Sequence, residues 1–198
     1  MRGRTPWGCQ MNPADNSTEP QPRPSHPRFL YFTDDGTTPN SRLPVLLYHL
    51  PMKKEADNAG FFETLFARNR WTPLWRAGIF DYQHYHSNAH EALGVAQGNA
   101  RVILGGPSGL TLGIGRGDVL VLPAGTGHCC LESSEDFLVV GAYPQGQEAY
   151  DIQRPASSNH GPSKARIARV AMPDGDPVTG RAGMLNSAWS AASAPEAR

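Results

Sequence analysis

The most informative part of the sequence is Gly78-Ile79-Phe80-Asp81-Tyr82-Gln83-His84-Tyr85-His86-Ser87-Asn88-Ala89-His90-Glu91. If this stretch forms a strand, alternate side chains share a face, so His84 and His86 point the same way. A turn after His86 would let the next strand bring Glu91 back beside them. Two neutral imidazoles and a carboxylate are suitable ligands for a divalent first-row metal ion. The stretch therefore predicts part of a metal site.

The same alternation places Phe80 and Tyr82 on the face of the two histidines, which makes them candidates for a substrate pocket. The hydroxyl group of Tyr82 could orient a substrate or donate a proton, although an inward tyrosine is as often a core residue. His90 is expected on the opposite face, at the surface and not as a ligand. The sequence does not identify a catalytic residue.

A second stretch, residues 117–128, reads as a strand, a tight turn and the start of another strand. Pro123, Gly125 and Gly127 favour the turn, which would aim His128 at whatever lies opposite. With this residue, the two stretches offer three histidines and one glutamate. Without a metal, such a set would leave costly desolvated polar groups inside a barrel.

In residue type and spacing, the two stretches resemble the two sequence motifs of the cupin superfamily. The matching positions are Gly78, His84, His86, Glu91, Gly98, Gly117, Pro123, Gly125 and His128. The second motif ends in asparagine, where this chain has Glu132, but that position is not a metal ligand in cupins. Weaker similarity on both sides resembles a group of small single-domain bacterial cupins of uncharacterised function. The resemblance implies that His84, His86, Glu91 and His128 are the metal ligands.

The resemblance also implies an all-β fold, the cupin double-stranded β-helix or jelly-roll barrel. Short β-branched or aromatic runs bounded by glycine, proline and aspartate agree with this fold. The predicted strands are 29–33, 44–50, 78–86, 91–96, 100–104, 110–114, 118–122, 128–132 and 137–143. Phenylalanines at helical spacing behind Asp57 predict one flanking helix over 59–70. A further edge strand is predicted over 166–172.

A length of 198 residues is typical of a single domain with one hydrophobic core. Residues 1–27 contain six of the 18 prolines and almost no large apolar side chains, which predicts a disordered N-terminal tail. The barrel is expected over 28–150, a C-terminal extension packed on it over 151–182, and a flexible tail over 183–198. Either Met1 or Met11 could be the true start.

Charge and hydropathy argue against two classes of partner. Lysine plus arginine equals aspartate plus glutamate at 18 each, so no basic surface is available to attract nucleic acid. No apolar run approaches the roughly 18 residues of a membrane-spanning helix, and the N-terminus lacks the apolar stretch of a secretory signal. We expect a cytoplasmic protein that binds a small molecule. A homodimer is expected through the apolar N-terminal strands.

Three neutral imidazoles and one carboxylate would leave a divalent ion with a net charge near +1, which favours an anionic ligand. Cupins with this ligand set use iron, manganese, nickel, copper or zinc, so the resemblance does not choose among them. The first hypothesis is a small-molecule enzyme, either a dioxygenase or a metal-dependent isomerase. The alternative is a non-enzymatic metal- or ligand-binding cupin with a structural or regulatory role.

Overall fold

A computed structural model describes residues 26–54 and 56–193. The predicted N-terminal tail therefore lies outside the described residues, apart from residues 26 and 27, and so do residues 194–198. The described part forms nine strands and three helices. In chain order they are β1 (Arg28–Leu30), β2 (Val45–His49), α1 (Asn58–Arg68), β3 (Trp71–Ala77), β4 (Glu91–Gln97), β5 (Asn99–Leu104), β6 (Leu110–Gly115), β7 (Asp118–Leu122), β8 (His128–Ser133), β9 (Leu138–Pro144), α2 (Ser157–Ile167) and α3 (Met184–Ser193).

The strands form two antiparallel sheets. The larger sheet has the order β1-β2-β7-β4-β9-β3, and the smaller has the order β6-β5-β8. Apolar side chains from both sheets meet in one buried cluster, in which Leu93 and Leu120 of the larger sheet pack with Val102 and Leu104 of the smaller. The all-β jelly-roll prediction is confirmed.

The larger sheet is buried on both of its faces. Val45, Leu93 and Leu120 belong to the cluster between the sheets, whereas their neighbours along the strands belong to a second cluster on the opposite face. That second cluster includes Phe62 of α1 and Trp189 of α3. Burial on both faces explains why these strands read as continuous apolar runs without a polar alternation.

Helix α1 confirms the predicted flanking helix. The side chain of Asp57 accepts a hydrogen bond from the backbone N–H of Gly60 at 2.9 Å and so caps the N-terminus of the helix. Phe62 and Phe66, four residues apart, stack with ring centroids 5.5 Å apart and face the larger sheet. The helix therefore covers one face of that sheet.

Gly94 in β4 allows α1 to lie this close to the sheet. A Cβ atom at Gly94 would come within 2.7 Å of the Phe62 ring and 3.0 Å of Phe66. We expect Gly94→Ala to lower the free energy of unfolding by about 1–3 kcal/mol, because an extra methyl group would push the helix outward. Urea denaturation measures the change.

Gly113→Ala is the matched control, since Gly113 lies in β6 and a Cβ atom there would meet nothing within 4 Å. Its effect should stay within about 0.5 kcal/mol. Equal effects of the two substitutions would contradict the close approach of α1 to β4.

The prediction of a strand over residues 78–86 is wrong. The chain bends at Asp81 and Tyr82, and pairing is limited to isolated bridges from His84 to His128 and from Tyr85 to Gln153. The sequence also missed β3, which precedes this stretch and contains Pro73. Proline is tolerated there because β3 is an edge strand with a register shift between Pro73 and Trp75.

The C-terminal region differs from the prediction in two places. No strand forms over 166–172, because α2 runs to Ile167 and backbone hydrogen bonds of helical type continue to Val170. Residues 184–193 form α3 and not the predicted flexible tail, since Leu185 and Trp189 are buried against the larger sheet. The described part of the chain contains no helix with the length and apolar character needed to cross a membrane.

Candidate metal centre

Three elements bring the predicted ligands together. His84 and His86 lie in the segment that leads into β4, Glu91 is the first residue of β4, and His128 is the first residue of β8. The three histidines each offer a ring nitrogen, and these atoms all lie within 4.8 Å of one another. The carboxylate of Glu91 lies 3.3 Å from Nε2 of both His86 and His128. All four side chains are buried.

Backbone carbonyl groups orient all three imidazoles. Nδ1 of His84 lies 3.1 Å from the carbonyl oxygen of Tyr82, and Nδ1 of His128 lies 3.0 Å from that of Thr126. Nδ1 of His86 contacts the carbonyl oxygen of Asp151. Because a carbonyl oxygen only accepts, each Nδ1 carries the proton, and each Nε2 of a neutral ring keeps a free lone pair. This arrangement of outer partners is typical of metal-binding histidines.

The buried acceptors of the cluster face one another. Nε2 of His86 and Oε2 of Glu91 are buried and make no hydrogen bond with any described residue. Nε2 of His86 lies 3.3 Å from Oε1 of Glu91, and Nε2 of His128 lies 3.3 Å from Oε2. These atoms are all acceptors in this tautomer, and acceptors at this distance repel each other unless a proton or a cation lies between them. A divalent cation with nitrogen and oxygen ligands fits this donor set.

The electrostatic setting keeps His84 and Glu91 in the protonation states that a metal requires. The pKa of His86 is raised, because the attraction of the Glu91 carboxylate outweighs the effect of burial. Burial, with the help of neighbouring His128, lowers the pKa of His84 to about 3, so this ring is neutral. Burial alone would raise the pKa of Glu91, but the attraction of the imidazoles of His86 and His128 outweighs it and holds this pKa well below its ordinary value. Glu91 is therefore a carboxylate.

A hydrogen-bonded aromatic chain supports Glu91. The hydroxyl group of Tyr143 donates to Oε1 of Glu91 at 2.5 Å and accepts from Nε1 of Trp75 at 3.3 Å. Tyr143 occupies this place because its neighbour in β9, Ala142, pairs with Ala92, the residue after Glu91. Burial and the nearby Glu91 raise the pKa of the Tyr143 hydroxyl group, which stays protonated and keeps donating.

The cluster lies at the wall of a cavity of about 180 Å³. Apart from the four polar residues, its walls are formed mainly by aromatic and aliphatic side chains, including Trp75, Ile79, Phe80, Leu93, Tyr143 and Tyr150. The sequence missed Trp75 because β3 was not predicted, and it placed Tyr143 in a strand without assigning its face. Tyr150 follows the last strand, where no periodic pattern could have placed it.

Of the two residues predicted to line the pocket, only Phe80 does so. Phe80 lines the cavity and is 46% exposed, whereas Tyr82 stacks on Phe80 with ring centroids 4.8 Å apart and does not line the cavity. Both rings contact the ring of His84, at centroid distances of 5.1 and 5.5 Å, so the two residues share the side of the histidines although the chain bends at Asp81 and Tyr82.

His90 lies outside the cluster, as expected, but the prediction of a surface position is wrong. Its side chain is buried, Nδ1 accepts a hydrogen bond from the backbone N–H of Ala124 at 3.0 Å, and its ring contacts Trp189. Helix α3, which the sequence did not predict, provides this cover.

Comparison with known proteins agrees with this fold. A family model described as Cupin matches residues 81–160. The chain is 36% identical over 160 residues to the uncharacterized protein YjlB of Bacillus subtilis (strain 168), a match that covers 80% of this chain and 94% of that protein. The chain belongs to the cupin family.

Two solved structures are also similar. Procruciferin, an 11S globulin from Brassica napus, is 16% identical, with 57% of this chain and 22% of that chain covered and a TM-score of 0.33. Bacillus subtilis oxalate decarboxylase, studied for its Mn(II) centers, is 17% identical, with 58% and 29% covered and a TM-score of 0.30. This chain spans less than a third of either chain.

Proposed function

We propose that the protein holds one divalent transition metal ion through His84, His86, Glu91 and His128 and acts as a small-molecule enzyme. The observation that carries the proposal is the set of buried acceptors that face one another, each imidazole being oriented by a backbone carbonyl. A bound ion would supply Lewis acidity to an oxygen-bearing substrate, with a net charge near +1. A dioxygenase or a metal-dependent isomerase would suit such a centre.

The residues of the chain itself have three tasks in this proposal. The carbonyl groups hold the imidazole planes, and Tyr143 holds the Glu91 carboxylate, so the donor atoms are preorganised. The apolar walls exclude water, which strengthens electrostatic interactions at the cluster. Phe80, partly exposed at the cavity wall, is placed to contact a substrate as it enters.

The proposed function is tested by metal analysis of the purified protein together with two assays on the same sample. Oxygen uptake with diketones, thiols and phenols would indicate a dioxygenase, and substrate rearrangement without oxygen uptake, followed by NMR, would indicate an isomerase. Full metal occupancy without turnover would favour the alternative, a non-enzymatic metal- or ligand-binding cupin. A protein that takes up no divalent metal would contradict the proposal.

Tyr143→Phe should weaken metal binding by about 10- to 100-fold, because Glu91 loses the hydroxyl group that orients its carboxylate. Titration against a competing chelator measures the affinity. Tyr150→Phe is the control, since its ring stacks on Tyr143 at 4.1 Å and lines the same cavity. An equal loss in both variants would show that the Tyr143–Glu91 hydrogen bond does not matter.

The homodimer and the cytoplasmic location stay predictions. Strand β1 is an edge of the larger sheet, so it is a suitable place for a second copy to pair. Light scattering coupled to size-exclusion chromatography measures the mass in solution, and a monomeric mass would contradict the homodimer.

A further inference from the structure

The cavity beside the cluster has one polar end and apolar walls. The polar end consists of the donor atoms of the three histidines and Glu91. Trp75, Ile79, Phe80 and Leu93 contribute apolar surface to the remaining wall. A ligand that fills this space must therefore present a polar group at one end and an apolar body elsewhere.

Of the aromatic wall's polar atoms, those of Trp75 and Tyr143 are already used, which leaves the hydroxyl group of Tyr150. Nε1 of Trp75 donates to the Tyr143 hydroxyl group, which in turn donates to Glu91. Neither group is left to hydrogen-bond a ligand that carries several hydroxyl groups along its length. A polyhydroxylated molecule such as a sugar would lose several hydrogen bonds to water here and regain few of them.

No lysine or arginine is among the described residues that line the cavity. The guanidinium group of Arg154 lies 3.9 Å from the centre of the Tyr82 ring, outside the cavity wall. Arg166 donates to the hydroxyl groups of Ser87 and Ser163. A ligand with two negative charges would bring one charge more than a centre of net charge near +1 can neutralise, and burying that excess charge is unfavourable.

The volume of about 180 Å³ also limits the ligand. An apolar protein cavity of about 150 Å³ is known to accommodate benzene. The space beside the cluster therefore suits one six-membered ring with a small substituent.

We propose that the cavity selects a molecule with one ring-sized apolar body and a single oxygen-bearing group of at most one negative charge. This inference rests on the proposed function, because the oxygen-bearing group is placed at the metal. Dicarboxylates and phosphate esters are disfavoured because no lysine or arginine is among the described lining residues to neutralise a second charge. Sugars are disfavoured because the hydrogen-bonding groups of Trp75 and Tyr143 are occupied and the cavity is small.

Four probes separate the contribution of the ring from that of the charge. They are benzoate (ring, one charge), acetate (no ring, one charge), phenyl phosphate (ring, two charges at pH 7.5) and malonate (no ring, two charges). Calorimetry is carried out on Zn²⁺-loaded, desalted protein whose metal content is measured on the same sample. Benzoate should bind at least ~10-fold more tightly than each of the other three.

Ile79→Arg places a cation in the cavity wall and should reduce the preference for benzoate over phenyl phosphate by at least ~10-fold. Ile152→Arg is the matched control, because Ile152 is 44% exposed and does not line the cavity, and it should leave the preference unchanged. If Ile79→Arg does not fold, the ranking of the four probes on the unmodified protein remains the test.

The outcomes separate the two proposals. A protein that holds no Zn²⁺ overturns the proposed function and this inference with it. A loaded protein that binds phenyl phosphate or malonate as tightly as benzoate, that does not distinguish benzoate from acetate, or that binds no probe overturns this inference and leaves the metal site in place.

Discussion

Replacing both His84 and His86 with alanine is expected to reduce bound metal from about one ion per chain to almost none. Loss of one outer-shell hydrogen bond weakens metal binding by about 10- to 100-fold, and loss of two direct ligands should exceed that range. Elemental analysis after dialysis against a weak chelator measures the remaining metal. The barrel should stay folded, because both side chains lie in the segment between β3 and β4 and outside the two apolar clusters.

The control removes two other histidines, through His49→Ala and His160→Ala. Both side chains pair with aspartates outside the cluster, at 2.8 Å from Asp118 and 2.6 Å from Asp34. This variant should keep the metal content of the unmodified protein. Equal metal contents in the two double variants would refute the ligand assignment.

Asp176→Ala should lower the free energy of unfolding by about 3–5 kcal/mol. The buried Asp176 carboxylate accepts hydrogen bonds from the backbone N–H groups of Val178, Thr179 and Leu185 at 2.8, 3.0 and 3.3 Å, and from the hydroxyl group of Tyr48. Alanine would leave the donors of Tyr48, Val178 and Leu185 buried without a partner. Urea denaturation followed by tryptophan fluorescence measures the loss.

Asp174→Ala is the comparison for this effect, since Asp174 is about half exposed and pairs with Arg70 at the surface. Such pairs contribute about 0–1 kcal/mol, so this variant should stay within that range. If Asp176→Ala were no more destabilising than Asp174→Ala, the segment before α3 would not be held by the buried carboxylate.

The strands whose side chains fill the space between the two sheets were predictable, because their residues are apolar and β-branched and turn residues lie on either side. Strand β7 has the predicted limits, and β4, β5, β6 and β8 differ from the prediction by one residue at an end. The errors lie where tertiary contacts outweigh local sequence. Strand β3 contains a proline that only an edge position tolerates, and α3 is an alanine- and serine-rich segment held by Leu185 and Trp189.

The four candidate ligands were predictable from the spacing of the two motifs, although His84 and His86 lie in isolated bridges and not in the expected strand. The outer partners of His86 and Glu91 were not, since Asp151 and Tyr143 lie more than fifty residues from the histidine or glutamate that they contact. The rest of the cavity wall depends on the pairing of β3 with β9, which places Trp75 opposite Gly141. A Cβ atom at Gly141 would come within 2.1 Å of Trp75, so even this contact depends on a residue without a side chain.

The candidate ligands come from both sheets of the jelly roll. Glu91 begins a strand of the larger sheet, and His128 begins a strand of the smaller one. A cation shared by these residues would cross-link the two halves of the jelly roll, and folding would be coupled to its concentration. Heat resistance of the protein in a cell extract would then serve as a gauge of how much of the preferred metal that extract makes available.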